Sequence, residues 1–197
     1  WIPVIDSTYH VSGGSLYQII QLKDGNYTGK YLCGVAIMQS PFFFLGHCIA
    51  YLSGEPQDGF SWPYQYSIIF GAIFWTFIGF LFLRKVLLKY FDDKVSALTI
   101  ILIGLASNLI QYVSKDGSMS HAFIFPLYSI ILWLTLKWHE SPKWNTALYI
   151  GIISGLATIC RPTELIIIFI PILWSTNTKA ERSVKWKQLI ENKSQVL

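Results

Sequence analysis

The chain has 197 residues, 53% hydrophobic and 16% aromatic but only 13% charged, with a mean hydropathy of +0.45. Soluble domains carry about 25% charged residues, so this composition indicates a multi-span membrane protein. The net charge of +4 is spread over segment ends rather than one patch and gives no basis for nucleic-acid binding. Cys33, Cys48 and Cys160 are an odd set without metal spacing, which argues against a disulfide framework or a zinc site. The chain opens on WIPVID, with neither an initiator Met nor a signal-type core, and ends mid-pattern at SQVL, so it reads as a fragment missing its start.

Residues 1–66 read as a polar, mixed first-loop segment, with turn signals at Gly13-Gly14 and Asp24-Gly25. Within it, 31–52 is apolar but interrupted by Gln39, Ser40, Pro41 and His47, which predicts an interfacial helix rather than a clean span. The loop SGEPQDGFSWPYQY (53–66) ends in aromatics suited to the headgroup layer. Membrane helices are then expected at about 67–88, 95–114, 121–138, 145–160 and 163–174. A basic segment, 175–197, follows. The predicted fold is all-α, a polytopic helical bundle.

The stretch GLATICRPTE (155–164) sets the topology. One helix over Thr146–Trp174 would be about 43 Å long and would hold Arg161 near mid-bilayer, at roughly 2.5–3.5 kcal/mol or more. Pro162 also disrupts a helix interior. A hairpin turning at Arg161 fits better. It puts Arg84, Lys85, Lys89, Lys94, Lys137, Lys143, Lys179, Arg182, Lys185, Lys187 and Lys193 on one side, eleven of the 15 Lys and Arg. By the positive-inside rule that side is cytoplasmic. Arg161 and Glu164 then lie near the outer face with residues 1–66 and the loop 114–121.

The outer side gathers Asp6, His10, Lys30, His47, Glu55, Asp58, Lys115, Asp116, Ser120, His121, Arg161 and Glu164. Arg161 has two readings: a snorkelling helix cap, or a phosphate ligand. Glu164 falls in the first turn of the next helix, where a carboxylate is favoured in any case. Lys30, Ser120 and His121 are further candidates for substrate binding, each with a plain structural reading as a solvated or interfacial side chain. His47 reads as a packing histidine, and Asp116 as part of a Lys-Asp-Gly turn. No nucleotide-binding glycine loop, HExxH or Gly-x-Ser-x-Gly occurs.

Four stretches carry a family resemblance: TGKYLCGVAIMQSPFFFLGHCIAYLSG (28–54), DGFSWPYQYSIIFGAIF (58–74), MSHAFIFPLYSIILWLTLKWHE (119–140) and GLATICRPTE (155–164). Through them the chain resembles the membrane glycosyltransferases of the GT-C superfold, near the protein mannosyltransferase and lipid A sugar-transferase groups, in a bacterial branch typical of Bacteroidetes. The resemblance implies transfer of a hexosyl or pentosyl unit from a polyprenyl-phosphate donor to a glycan, lipid or protein acceptor. The reaction would invert the anomeric centre at the outer face of a bacterial inner membrane. The family's catalytic Asp lies in the first outer loop soon after a first span. Asp6 is the nearest acid and its context does not match, so the base is expected before residue 1 and the fragment is expected to be inactive alone. No cofactor is required by the pattern, and a divalent metal stays open because some such enzymes use one.

Two other classes compete. A transporter or flippase of lipid-linked glycans would want ionisable residues at mid-depth, where these spans carry mainly Asn108 and Gln111. A non-enzymatic membrane scaffold would leave the outer cations unclustered.

Overall fold

A computed structural model describes residues 19–29 and 32–192. It divides into two units, residues 1–33 and 34–197. In the first, β1 (Ile19–Gln21) pairs antiparallel with β2 (Tyr27–Gly29), a small addition to an otherwise helical chain. Its turn is the predicted Asp24-Gly25. Gly25 takes φ +83°, and Asp24 Oδ1 accepts from Asn26 N at 3.1 Å. A left-handed residue beside an Asx bond is what such a dipeptide supplies.

The second unit is a helical membrane bundle. Its helices are α1 (Gly34–Ser53), α2 (Trp62–Leu87), α3 (Asp93–Leu105), α4 (Leu109–Ser114), α5 (His121–Glu140) and α6 (Trp144–Cys160). A 3-10 turn over Pro162–Ile168 leads into α7 (Phe169–Leu173), and α8 (Lys179–Glu191) closes the described chain. By length and composition α1, α2 and α5 are each able to cross a membrane, while α6 and the 162–173 stretch are shorter and apolar. The interfacial placement expected of 31–52 is thus one of two that α1 can adopt.

The core is built where α1, α2, α5, α6 and the 3-10 turn meet. Met38, Ala72, Ala122, Phe123, Leu127, Ile131, Ala157, Cys160 and Ile167 form one buried cluster. Small residues bring the backbones close. A Cβ on Gly34 would stand 2.3 Å from the Cys160 nitrogen, and one on Gly79 would stand 2.9 Å from the Pro126 Cα. Large apolar side chains instead face outward, including Phe70, Phe74, Phe77, Leu98, Ile101, Leu102 and Leu105. A surface this apolar suits lipid rather than water.

The helix-interior prolines are accommodated by hydroxyl groups. Pro126 has no N–H for the Ala122 carbonyl, and the Thr76 hydroxyl of α2 donates to that oxygen at 3.5 Å. Pro41 likewise leaves the Ile37 carbonyl, which accepts from Ser40 Oγ at 2.8 Å. Re-satisfying freed carbonyls in this way is how helices in lipid tolerate proline.

The predicted span 95–114 is broken into α3 and α4 at Ala106–Asn108. Ser107 Oγ donates to Ile103 O at 2.6 Å and accepts from Leu109 N at 3.2 Å. Local side-chain bonds of this kind compete with the helical ladder. The basic tail, predicted only as a polar segment, contains α8, which starts with a capping box between Thr178 and Glu181.

Two ends result. Helices α2 and α5 run side by side in the same direction, since Thr76 meets Ala122, Phe80 meets Phe125, and Lys89, just beyond α2, meets Glu140. The chain reverses at Arg161, because Glu164 meets Tyr128 and Lys185 bridges Pro171 to His139 at the far end of α5. One end of the bundle therefore holds His121 and Arg161. The other holds Arg84, Lys85, Lys89, Lys137 and α8.

Candidate active site at the broken-helix corner

Arg161 ends α6 in an extended conformation, φ −157° and ψ 116°, with its N–H still bonded to Ala157 O at 2.9 Å. Pro162 then occupies the first position of the 3-10 turn, where its missing N–H costs nothing. The turn lifts Glu164 back toward the corner, and Glu164 N donates to Arg161 O at 2.9 Å.

Three side chains meet here. Tyr128 Oη donates to Glu164 Oε2 at 2.7 Å. Glu164 Oε1 faces Arg161 Nε at 3.8 Å, a loose ion pair. The Glu164 side chain is 13% exposed and that of Arg161 44% exposed, so the carboxylate is held inside while the guanidinium reaches outward. Among the described residues nothing else bonds the guanidinium, and its remaining N–H donors are available to an anion.

The N-terminus of α1 adds to the positive character of this corner. Gly34 lies against the Ile159 and Cys160 backbone, and no acidic residue occupies the first turn of α1. The first N–H groups of a helix carry partial positive charge. A guanidinium and a helix start thus lie within one residue of each other along the α6 backbone.

The other predicted residues have different settings. His121 opens α5 and stacks on Tyr112 of α4, with ring centroids 4.4 Å apart at 23°. Ser120 occupies the cap position of α5, where its carbonyl accepts from Phe123 N and Ile124 N but its hydroxyl makes no capping bond. Among the described residues no hydrogen bond or ion pair joins Ser120 or His121 to Arg161 or Glu164. Lys30 lies outside the described residues, as do Asp6 and His10. His47 bonds the buried Tyr64 hydroxyl at 2.6 Å, a packing role.

Tyr128 escaped the sequence reading, and Gln39 stood there only as an interruption. Tyr128 was one aromatic among many in an apolar span, and only its neighbour Glu164, 36 residues on, gives it meaning. Gln39 was visible as a polar interruption of α1. It is buried, and its Nε2 donates to Ile68 O at 3.1 Å and Gly117 O at 3.0 Å, fastening α1 both to α2 and to the loop before α5.

The profile of the dolichyl-phosphate-mannose-protein mannosyltransferase family matches residues 63–190, more than half of the chain. The chain belongs to this family. Membership makes it a membrane glycosyltransferase, and the match covers α2 through α8, with Tyr128, Arg161 and Glu164 inside it. No curated protein and no solved structure matches the chain. Members of the mannosyltransferase family are named for a lipid-phosphate sugar.

Proposed function

We propose that this chain transfers a sugar from a polyprenyl-phosphate donor to a glycan, lipid or protein acceptor at the extracytoplasmic face of a bacterial inner membrane. The observation carrying the proposal is the Arg161 corner. An outward-facing guanidinium, steadied by a half-sheltered carboxylate and flanked by the start of α1, sits at the end of the bundle opposite its basic end. The gathering of cations at the other end supports an extracytoplasmic placement of this one, by the positive-inside rule.

The chemistry follows from where charge develops. As the glycosidic bond to phosphate breaks, negative charge builds on the leaving oxygen. Arg161 would stabilise it, with the positive end of α1 close by, while Glu164 keeps the guanidinium in one orientation. The Arg guanidinium stays cationic throughout and offers paired donors to phosphate oxygens. A carboxylate elsewhere in the first outer loop would take the proton of the acceptor hydroxyl. Ser120, His121 and Lys30 are placed in the same proposal as contacts to the donor sugar or phosphate.

The test is transfer from a polyprenyl-phosphate sugar by the full-length protein carrying Arg161→Ala or Arg161→Lys. Loss of a charge-assisted phosphate contact is worth about 1.5–3 kcal/mol, so Arg161→Ala should lower kcat/KM roughly 10- to 100-fold, with Arg161→Lys intermediate. Unchanged kcat/KM in both variants would remove Arg161 from the donor site.

A further inference from the structure

We propose that α8 lies flat in the lipid headgroup layer at the basic end of the bundle, with one flank buried among acyl chains and its cations on anionic lipid. The occupant of that flank is the membrane itself, a surface containing acidic phospholipid.

Three features of α8 carry this. Its inner face is fixed to the bundle: Lys185 is buried, donates to Pro171 O at 2.7 Å and bonds His139, while Gln188 reaches His139 O at 3.4 Å. His139 Nδ1 lies 2.8 Å from Thr135 O, so it carries the proton and donates, which leaves Nε2 as the acceptor facing Lys185. The helix cannot swing away without breaking these bonds.

Next to that inner face runs a strip at helical spacing, with Trp186, Leu189 and Ile190 at i, i+3 and i+4. Leu189 lines an apolar groove of about 530 Å³ together with Ile168, Pro171 and Ile172, so the strip continues the apolar surface of the 162–173 stretch. Trp186 and Ile190 are 61% and 68% exposed. Arg182 and Lys179, four and seven residues before Trp186, extend the same strip. A helix with apolar anchors and cations side by side on one edge is built for an interface, where the cations snorkel to headgroups.

The opposite flank differs. It carries Val184, Lys187 and Glu191, and Lys187 pairs with Glu191 at 3.9 Å. That flank faces water. The depth of α8 is set by its surroundings as well. Trp144 is exposed at the start of α6, and Lys137, Lys89 and Arg84 share this end, the mixture of tryptophan and cations that marks a headgroup layer. The proposal is independent of the reaction catalysed.

The experiment places nitroxide labels one at a time at Trp186→Cys, Ile190→Cys, Val184→Cys and Lys187→Cys in the full-length protein, with Cys33 and Cys48 replaced by Ser. These four side chains are largely exposed, so labelling leaves the core intact. Collision with oxygen and with a water-soluble nickel chelate is compared in bilayers rich in phosphatidylglycerol and in bilayers of phosphatidylcholine alone. Labels at 186 and 190 are expected to favour oxygen, and those at 184 and 187 the nickel chelate. The contrast should be larger with phosphatidylglycerol and shrink in the Lys179→Gln, Arg182→Gln double variant. Nickel accessibility at 186 and 190 equal to that at 187 would overturn the proposal. A contrast indifferent to acidic lipid and to the double variant would overturn its electrostatic half. Quenching by brominated lipid provides a label-free check: it should fall in Trp186→Phe by that residue's share, and retention of the full quenching would count against insertion.

Discussion

Tyr128 donates a 2.7 Å hydrogen bond to Glu164, joining the second turn of α5 to the first turn after the break at Arg161. The bond holds the carboxylate at the corner together with the Arg161 ion pair and the Thr163 hydroxyl, which donates to Oε1 at 3.4 Å. Tyr128→Phe keeps the ring and its packing but removes the donor. A hydrogen bond to a charged group contributes about 1.5–3 kcal/mol. The expected result is a thermal midpoint lowered by several degrees and a donor KM raised several-fold, read by unfolding in detergent and by transfer kinetics. Glu164→Gln should lower donor affinity on its own and add little in the Tyr128→Phe background, because both changes loosen the same partner of Arg161. Identical kinetics in all of these proteins would dissociate the pair from donor binding.

Gly34 is a second point where the geometry makes a sharp statement. A methyl group there would meet the Cys160 nitrogen at 2.3 Å, and backbone cannot rotate away. Gly34→Ala is expected to destabilise by roughly 1–3 kcal/mol, the usual cost of overpacking. Gly155, whose added Cβ meets nothing within 4 Å, is the matched control. Denaturation of the two variants side by side gives the comparison, and equal stability would contradict the close approach.

Gln39 makes two long-range bonds from one side-chain amide. Gln39→Leu preserves bulk but takes the side-chain donor from the Gly117 carbonyl, while the Ile68 carbonyl keeps its place in the α2 ladder. The loss of a buried partner is worth about 1–3 kcal/mol. Hydrogen exchange over residues 114–120 should accelerate at least several-fold, with smaller change around Ile68, where the helix itself is continuous. Unchanged exchange in the loop would mean that its position does not depend on α1.

Lys185 is expected to make the docking of α8 pH-dependent. Burial pushes its ammonium down to about 8, from an ordinary value of 10.5. The facing groups are His139, the Pro171 carbonyl and the Trp138 ring, with no carboxylate among its bonded partners. A lysine with a lowered folded pKa disfavours folding while both states are protonated. That penalty is present in full below pH 8 and is relieved as pH rises from about 8 toward 10.5, because the unfolded form then holds more protons. Protection of α8 in hydrogen exchange, corrected for intrinsic rates, should therefore grow between pH 8 and 10. Lys185→Met should flatten the profile. A profile that falls over this window would reverse the sign and refute the burial argument.

Much of the architecture is written in local chemistry. The reversal at Arg161 follows from a proline after a cation between two apolar runs, and the basic ends of α2 and α5 follow from charge alone. The break in α3–α4 is less legible, since Ser107 and Asn108 inside an apolar run are compatible with a continuous helix until the serine is seen bonding the backbone twice. The site divides in the same way. Arg161 and Glu164 are conspicuous because charges are scarce in such a chain. Tyr128 is not, because an aromatic hydroxyl in a span gains its role only from a partner across the fold. His121 stands out in sequence as well, and its stacking on Tyr112 is visible only in the fold.

Cys33 and Cys48 are exposed thiols, one beside the start of α1 and one near its end, while Cys160 is sealed in the core. Within α1, Gly34, which follows Cys33 in the chain, and Cys48 are fourteen residues apart, about 21 Å along the axis. Nature has thus installed a depth gauge. If α1 crosses the bilayer, a membrane-impermeant maleimide added to sealed vesicles should reach only one of the two sulfurs. If α1 lies along the surface, both should react from the same compartment, and no engineered cysteine is needed to tell the two arrangements apart.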